Sequence, residues 1–121
     1  MPDRARVEEF AALVEAGEFV AAIERFYTAD ASMQENVDSP RKGRDALVAG
    51  ERRVLAAFQH ARAERLAPVL VDGDRVAIQW RFTFTPAQGL ARVMEEVAWQ
   101  RWQGDRIAEE RFFYDPRQMS G

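Results

Sequence analysis

The chain has 121 residues, 47% of them apolar, no cysteine, and a formal net charge of −3 from 17 basic and 20 acidic side chains. That length predicts a single domain over residues 1–121 with a core that needs no staples. The missing cysteines exclude a disulfide scaffold, a thiol nucleophile and a thiolate metal site. The charge balance speaks against nucleic acid as a partner, and no apolar run approaches the roughly 20 residues of a membrane span. The opening MPDRARVEEF lacks the apolar stretch of a signal peptide. The expectation is a soluble, cytoplasmic protein without a nucleic-acid or membrane partner.

Val7, Phe10, Leu13 and Val14 recur at helical steps and predict a short helix that stops at Gly17. Phe19, Ile23 and Phe26 share one face of a second helix that ends at Tyr27. The alternating ADASMQEN predicts a short strand, and VDSPRKG, with Pro40 and Gly43, a loop. A longer helix is expected from Arg44 to Gln59, with Leu47, Val54 and Phe58 as its buried stripe and Glu51 in the middle of that stripe. It ends beside His60, where the period changes to that of strands. Ala61 to Val71 predicts a strand and Asp72-Gly73 a hairpin turn. Val76, Ile78, Trp80, Phe82 and Phe84 then alternate with more polar residues, the pattern of a half-buried strand. Pro86 to Arg92 reads as a loop, Met94 to Trp102 as a strand, Gly104-Asp105 as a tight turn and Arg106 to Asp115 as the last strand. The tail from Pro116 to Gly121 is expected to fray.

Helices followed by consecutive hairpin-linked strands indicate an α+β fold rather than a doubly wound parallel sheet. The segments FYTADASMQEN, PRKGRDAL and WQRWQGDRIAEERFFYDP resemble the nuclear transport factor two-like superfamily, and most nearly its SnoaL-like branch, over nearly the whole chain. The resemblance implies a curved antiparallel or mixed sheet wrapped around three helices of the N-terminal half, the cone-shaped, cystatin-like α+β barrel. Ketosteroid isomerases, polyketide cyclases, limonene epoxide hydrolases, dehydratases and non-catalytic binding modules share this fold, so it names no reaction. Limonene epoxide hydrolases place a Tyr-x-Asn pair on the first strand, which matches Gln34 and Asn36 here. Their Arg-x-Asp pair on a central strand matches Trp80 and Phe82, and their further acid matches Phe112. SnoaL-type cyclases use that same last-strand acid and a histidine near Ala98. The chain departs from the family at each of these charged positions.

The residues themselves offer other candidates. Glu110, Phe112 and Tyr114 share one face of the last strand. A carboxyl among rings has its pKa raised and can act as general acid or base near neutrality; the competing reading pairs Glu110 with Arg101 or Arg81. Glu51 in an apolar stripe either lines a polar cavity or bonds to a backbone group or an arginine. Gln34 and Asn36 either hold a ligand oxygen or water, or Asn36 caps the loop before Pro40. Glu96, Ala98 and Gln100 lie opposite Val97 and Trp99, with Gln100 as a polar point of the cone or the whole row as a solvated face; Glu95 and Glu96 cannot both point inward. His60, the single histidine, cannot build a multi-histidine metal site, and the chain has neither a G-x-S-x-G elbow nor a glycine-rich phosphate loop.

Together these readings predict a mostly apolar pocket lined by Trp80, Phe82, Phe112 and Tyr114, with Tyr27, Gln34, Asn36, Glu51, Gln100 and Glu110 as polar points. Its ligand would be a small, largely apolar organic molecule with one or two oxygens. Glu110 would move a proton while Gln34, Asn36 or Tyr114 met a developing oxyanion, chemistry that needs neither metal nor cofactor. A carrier without chemistry, or a partner-binding domain, are the alternatives. Val93, Val97 and Trp99 alternate outward and predict an apolar patch suited to a homodimer.

Overall fold

The computed structural model describes residues 1–119. In chain order its elements are α1 (Arg4–Glu15), α2 (Phe19–Phe26), β1 (Tyr27–Glu35), β2 (Arg41–Lys42), α3 (Arg44–Ala56), β3 (His60–Arg65), β4 (Leu70–Asp72), β5 (Arg75–Thr85), β6 (Arg92–Gln103) and β7 (Arg106–Phe113). The strands form one curved, unclosed sheet in the order β2-β1-β7-β6-β5-β3, with β4 also paired to β5. β1 and β7 are parallel and every other pairing is antiparallel. This is the expected α+β architecture.

Local chemistry explains the helices. Asp3 caps α1 by accepting from the Arg6 N–H at 2.9 Å, and Gly17, at φ 84°, takes the left-handed conformation that ends it. Val7, Phe10, Ala11 and Val14 of α1 and Phe19, Ala22, Ile23 and Phe26 of α2 are buried against the sheet interior. Arg65 of β3 ties α1 to the sheet through Glu8 and Glu15. Only Leu47 of α3 is fully buried, and Val54 is 40% exposed, so the expected third-helix stripe is narrower than its periodicity suggests.

Several boundaries differ from the sequence expectation for identifiable reasons. β1 begins at Tyr27, so the second helix runs directly into the strand. α3 ends at Ala56, and His60 opens β3 instead of closing a helix. The expected strand from Ala61 to Val71 is two strands, separated around Pro68, whose ring nitrogen has no hydrogen to donate to a ladder. Arg41 and Lys42, expected in a loop, pair with Met33 and Ser32. Pro116–Met119 forms a 3-10 turn rather than a frayed tail, held where Gln118 accepts from the Glu95 N–H at 2.9 Å and donates to its carbonyl at 3.0 Å. Ser120 and Gly121 lie outside the described residues.

The outward face of β6 and β7 carries the expected apolar patch, with Val93, Val97, Trp99 and Phe113 all exposed. Among the described residues no helix is long and apolar enough to cross a membrane.

Candidate functional site

Alternation along four strands places the interior side chains in rows. Gln100 on β6 is opposite Glu110 on β7, which in turn neighbours Met33 on β1. One step along, Ala98, Phe112 and Glu35 form the next row, and beyond them Glu96 of β6 faces Trp80 of β5. Helices α1, α2 and α3 cover these rows and leave a hollow.

The inner part of the hollow, about 80 Å³, is lined by Phe10, Ile23, Tyr27, Trp80, Phe82 and Glu110 among others. Edge-to-face ring packing lies behind it, with Phe10 at 5.5 Å from Phe26, 6.1 Å from Tyr27 and 6.2 Å from Trp102, centroid to centroid. An outer part of about 160 Å³ shares Phe19, Met33, Glu51, Phe82 and Phe112 with it and adds Glu35, Arg41, Phe84, Met94 and Glu96. Both volumes fall below the roughly 300–1,000 Å³ typical of sites for drug-sized ligands.

Glu110 is the best-supported carboxyl in this space. It is 3% exposed and neither Arg81 nor Arg101 reaches it; Arg101 pairs with Glu109 at 3.0 Å and Arg81 with Glu95 at 3.0 Å. Instead Tyr27 donates its hydroxyl to Glu110 Oε1, and Gln100 Nε2 donates to Oε2 at 2.7 Å. Gln100 is itself oriented by Trp102, whose indole N–H donates to its Oε1 at 2.9 Å. Burial pushes the Glu110 carboxyl up to about 7, against the opposing pull of the Tyr27 and Gln100 bonds, which favour the charged form. Burial and the neighbouring Glu110 charge hold the Tyr27 phenol well above its ordinary value.

The mouth carries three more acids. Glu35 points inward from β1, accepting from Arg41 Nη2 at 2.8 Å and from the Tyr114 hydroxyl at 3.3 Å. Glu51 of α3 lines both parts of the hollow, and burial raises its pKa. Glu96 of β6 is 5% exposed; burial, then the Glu110 charge, push it to about 9. Among the described residues neither Glu51 nor Glu96 has a hydrogen-bond or ion-pair partner. Burial and the Glu35 charge raise the Tyr114 phenol to about 12. No group of three or more histidine, aspartate or glutamate side chains among the described residues is arranged to hold a metal ion.

The structure therefore gathers Tyr27, Glu51, Trp80, Phe82, Glu110 and Phe112 around one hollow, with Tyr114 at its rim through Glu35; Gln100, expected to line the pocket, is instead fully buried behind Glu110 and off the lining. Gln34 and Asn36 do not join them. Gln34 faces the other side of β1 and donates to the Asp38 carbonyl at 3.0 Å. Asn36 leaves the strand at φ 50°, a left-handed conformation that asparagine tolerates, and its side chain accepts from the Tyr114 N–H at 2.9 Å. Residue pattern alone does not single out Glu35 and Arg41. Glu96 had a usable signal, because it lies four residues before the inward Gln100 on the same strand face.

A family model described as the SnoaL-like domain matches residues 7–110. A candidate SnoaL-like polyketide cyclase from Mesorhizobium loti superposes with a TM-score of 0.78 at 26% identity, covering 94% of this chain and 100% of that one. A Catenulispora acidiphila protein with a ketosteroid isomerase-like fold, solved in complex with trimethylamine, gives 0.76 at 17% identity over 91% of this chain and 85% of that one. An LEH-like epoxide hydrolase from Mycobacterium tuberculosis gives 0.76 at 16% identity over 95% and 84%. At these last two identities the likeness concerns the fold alone. No protein of curated function matches the sequence.

Proposed function

Because the chain belongs to the SnoaL-like domain family, we propose that its hollow binds a small organic molecule and that Glu110 exchanges a proton with it. The observation that carries this reading is the placement of Glu110: a buried carboxyl lining an aromatic-walled space, oriented by Tyr27 and Gln100. A group whose charged and neutral forms are both populated near neutral pH serves as acid or base without metal or cofactor. The small volume favours a compact ligand over a polycyclic one, and the trimethylamine complex of the Catenulispora protein supports small organic molecules as occupants of this fold. Proton transfer is the step common to isomerase, cyclase and hydrolase chemistry, so it is the step to measure.

The test is deuterium exchange at the carbon next to the carbonyl of small ketones, in heavy water, with wild type and Glu110→Gln. Exchange that falls by about 100-fold or more in the variant supports the reading. Exchange that is equally fast in both overturns it. The second reading, a binding module without chemistry, is favoured by one fact: each Glu110 oxygen already accepts a hydrogen bond from the protein. Saturable ketone binding without exchange would establish it. The patch of Val93, Val97, Trp99 and Phe113 is assigned to self-association; light scattering is expected to give twice 13.8 kDa, and a mass of 13.8 kDa would overturn the assignment.

A further inference from the structure

The charged and titratable groups facing the hollow are unbalanced. β1 supplies Tyr27 and Glu35, β2 Arg41, α3 Glu51, β6 Glu96, and β7 Glu110 with Tyr114 just beyond it. Arg41 pairs with Glu35 at 2.8 Å and its charge also reaches Glu51, while the two tyrosine hydroxyls are given to Glu110 and Glu35. Glu51 and Glu96 are left without a donor, and no carboxyl oxygen is sealed off from the cavity without one. The side chain of Glu96, 5% exposed, opens into the outer part of the hollow.

The remaining wall of that part is aromatic. Phe82 and Phe84 stack at 6.0 Å with 13° between their planes, Phe19 lies 6.3 Å from Phe82, and Phe112 completes the lining. Carboxylates and the faces of phenyl rings both attract positive charge. The acids lack the arrangement for a metal ion, whereas a soft organic cation suits a wall that is part acid and part ring. An uncharged or anionic ligand would leave both acids without an opposite charge beside them.

We infer that the ligand of this hollow carries an ammonium group, seated at the mouth between the Glu51 and Glu96 carboxyls and the rings of Phe82, Phe84 and Phe112, with its apolar part directed toward Trp80 and Glu110. The inference rests on the small-molecule reading above and narrows it to organic cations. Without a cation, burial and the neighbouring acids raise the pKa of both, with Glu96 pushed up to about 9. A cation reverses that balance. Its binding releases protons and strengthens as pH rises through the range in which the acids ionise.

The test compares choline with neohexyl alcohol, in which carbon replaces the quaternary nitrogen, by calorimetric titration of the full chain. Choline is expected to bind at least about tenfold more tightly. Its affinity is expected to rise by about tenfold between about pH 6 and about pH 9, while that of the alcohol stays flat. In the variant carrying both Glu51→Gln and Glu96→Gln the two ligands should come within about twofold of each other. The wild-type comparison stands on its own if that variant fails to fold. Equal or tighter binding of the alcohol overturns the ammonium inference and leaves the small-molecule reading intact. Binding of neither at millimolar concentration also overturns the ammonium inference, and the ketone exchange measurement decides the small-molecule reading separately.

Discussion

At its inner end the hollow holds Glu110 with both oxygens bonded, in a chain that runs from the Trp102 indole through Gln100 to the carboxyl and on to Tyr27. At its mouth Glu51 and Glu96, acids of the same chemistry and also largely withdrawn from water, receive no donor from the protein among the described residues. The difference separates two reasons for keeping a carboxyl out of water. A buried acid with satisfied oxygens has a defined position and a defined protonation equilibrium, and its partners stabilise the fold as well. An acid without protein partners whose oxygens still reach the hollow is open to something outside the chain that interacts with it.

Substitution at the two ends breaks the comparison most sharply. Gln100→Leu leaves the Trp102 N–H and the Glu110 carboxyl each short of a partner in a fully buried place. It should cost about 2–4 kcal/mol, read from urea denaturation at neutral pH. Glu96→Gln should act in the opposite direction. The native state holds the Glu96 proton up to about pH 9, while the unfolded chain releases it near the ordinary value of 4.5. Between those values the native state binds more protons, so the contribution of this residue to stability falls as pH rises. At about pH 9 the glutamine variant should exceed wild type by at least about 1–2 kcal/mol, and the gap should close near pH 4.5. A variant less stable than wild type at alkaline pH would show that Glu96 has a partner in the protein after all.

The same two regions differ in how far the sequence reveals them. The inner end was legible, because Glu110 alternates with Phe112 on a long strand whose turn at Gly104-Asp105 sets its phase. Gln100 and Trp80 follow from the same period on β6 and β5. The mouth was less so. ADASMQEN has polar residues on both faces, and the register of β1 against β7 shifts between Tyr27 and Ser32, so counting in twos from Gln34 picks the wrong side. Met33 and Glu35 take the interior instead. Arg41 reaches the site from a two-residue strand within a proline-containing stretch that reads as loop. Glu95 and Glu96 are adjacent acids; the period of β6 counted back from Gln100 points to Glu96, and the register against β5, which sets Glu96 beside Trp80, agrees. The broad order of elements depends on hydrophobic period and was therefore readable; the phase of short polar strands depends on pairing with distant strands and was not.

Burial brings the Glu110 titration up to near neutrality, and Tyr27 holds its pKa down from where burial alone would put it. Carbon-detected NMR titration of the Glu110 carboxyl in wild type and Tyr27→Phe tests it directly. The expected midpoint is about 7 in wild type, moving upward when the phenol is removed. A wild-type midpoint at the ordinary glutamate value of 4.5, unchanged by Tyr27→Phe, would contradict this.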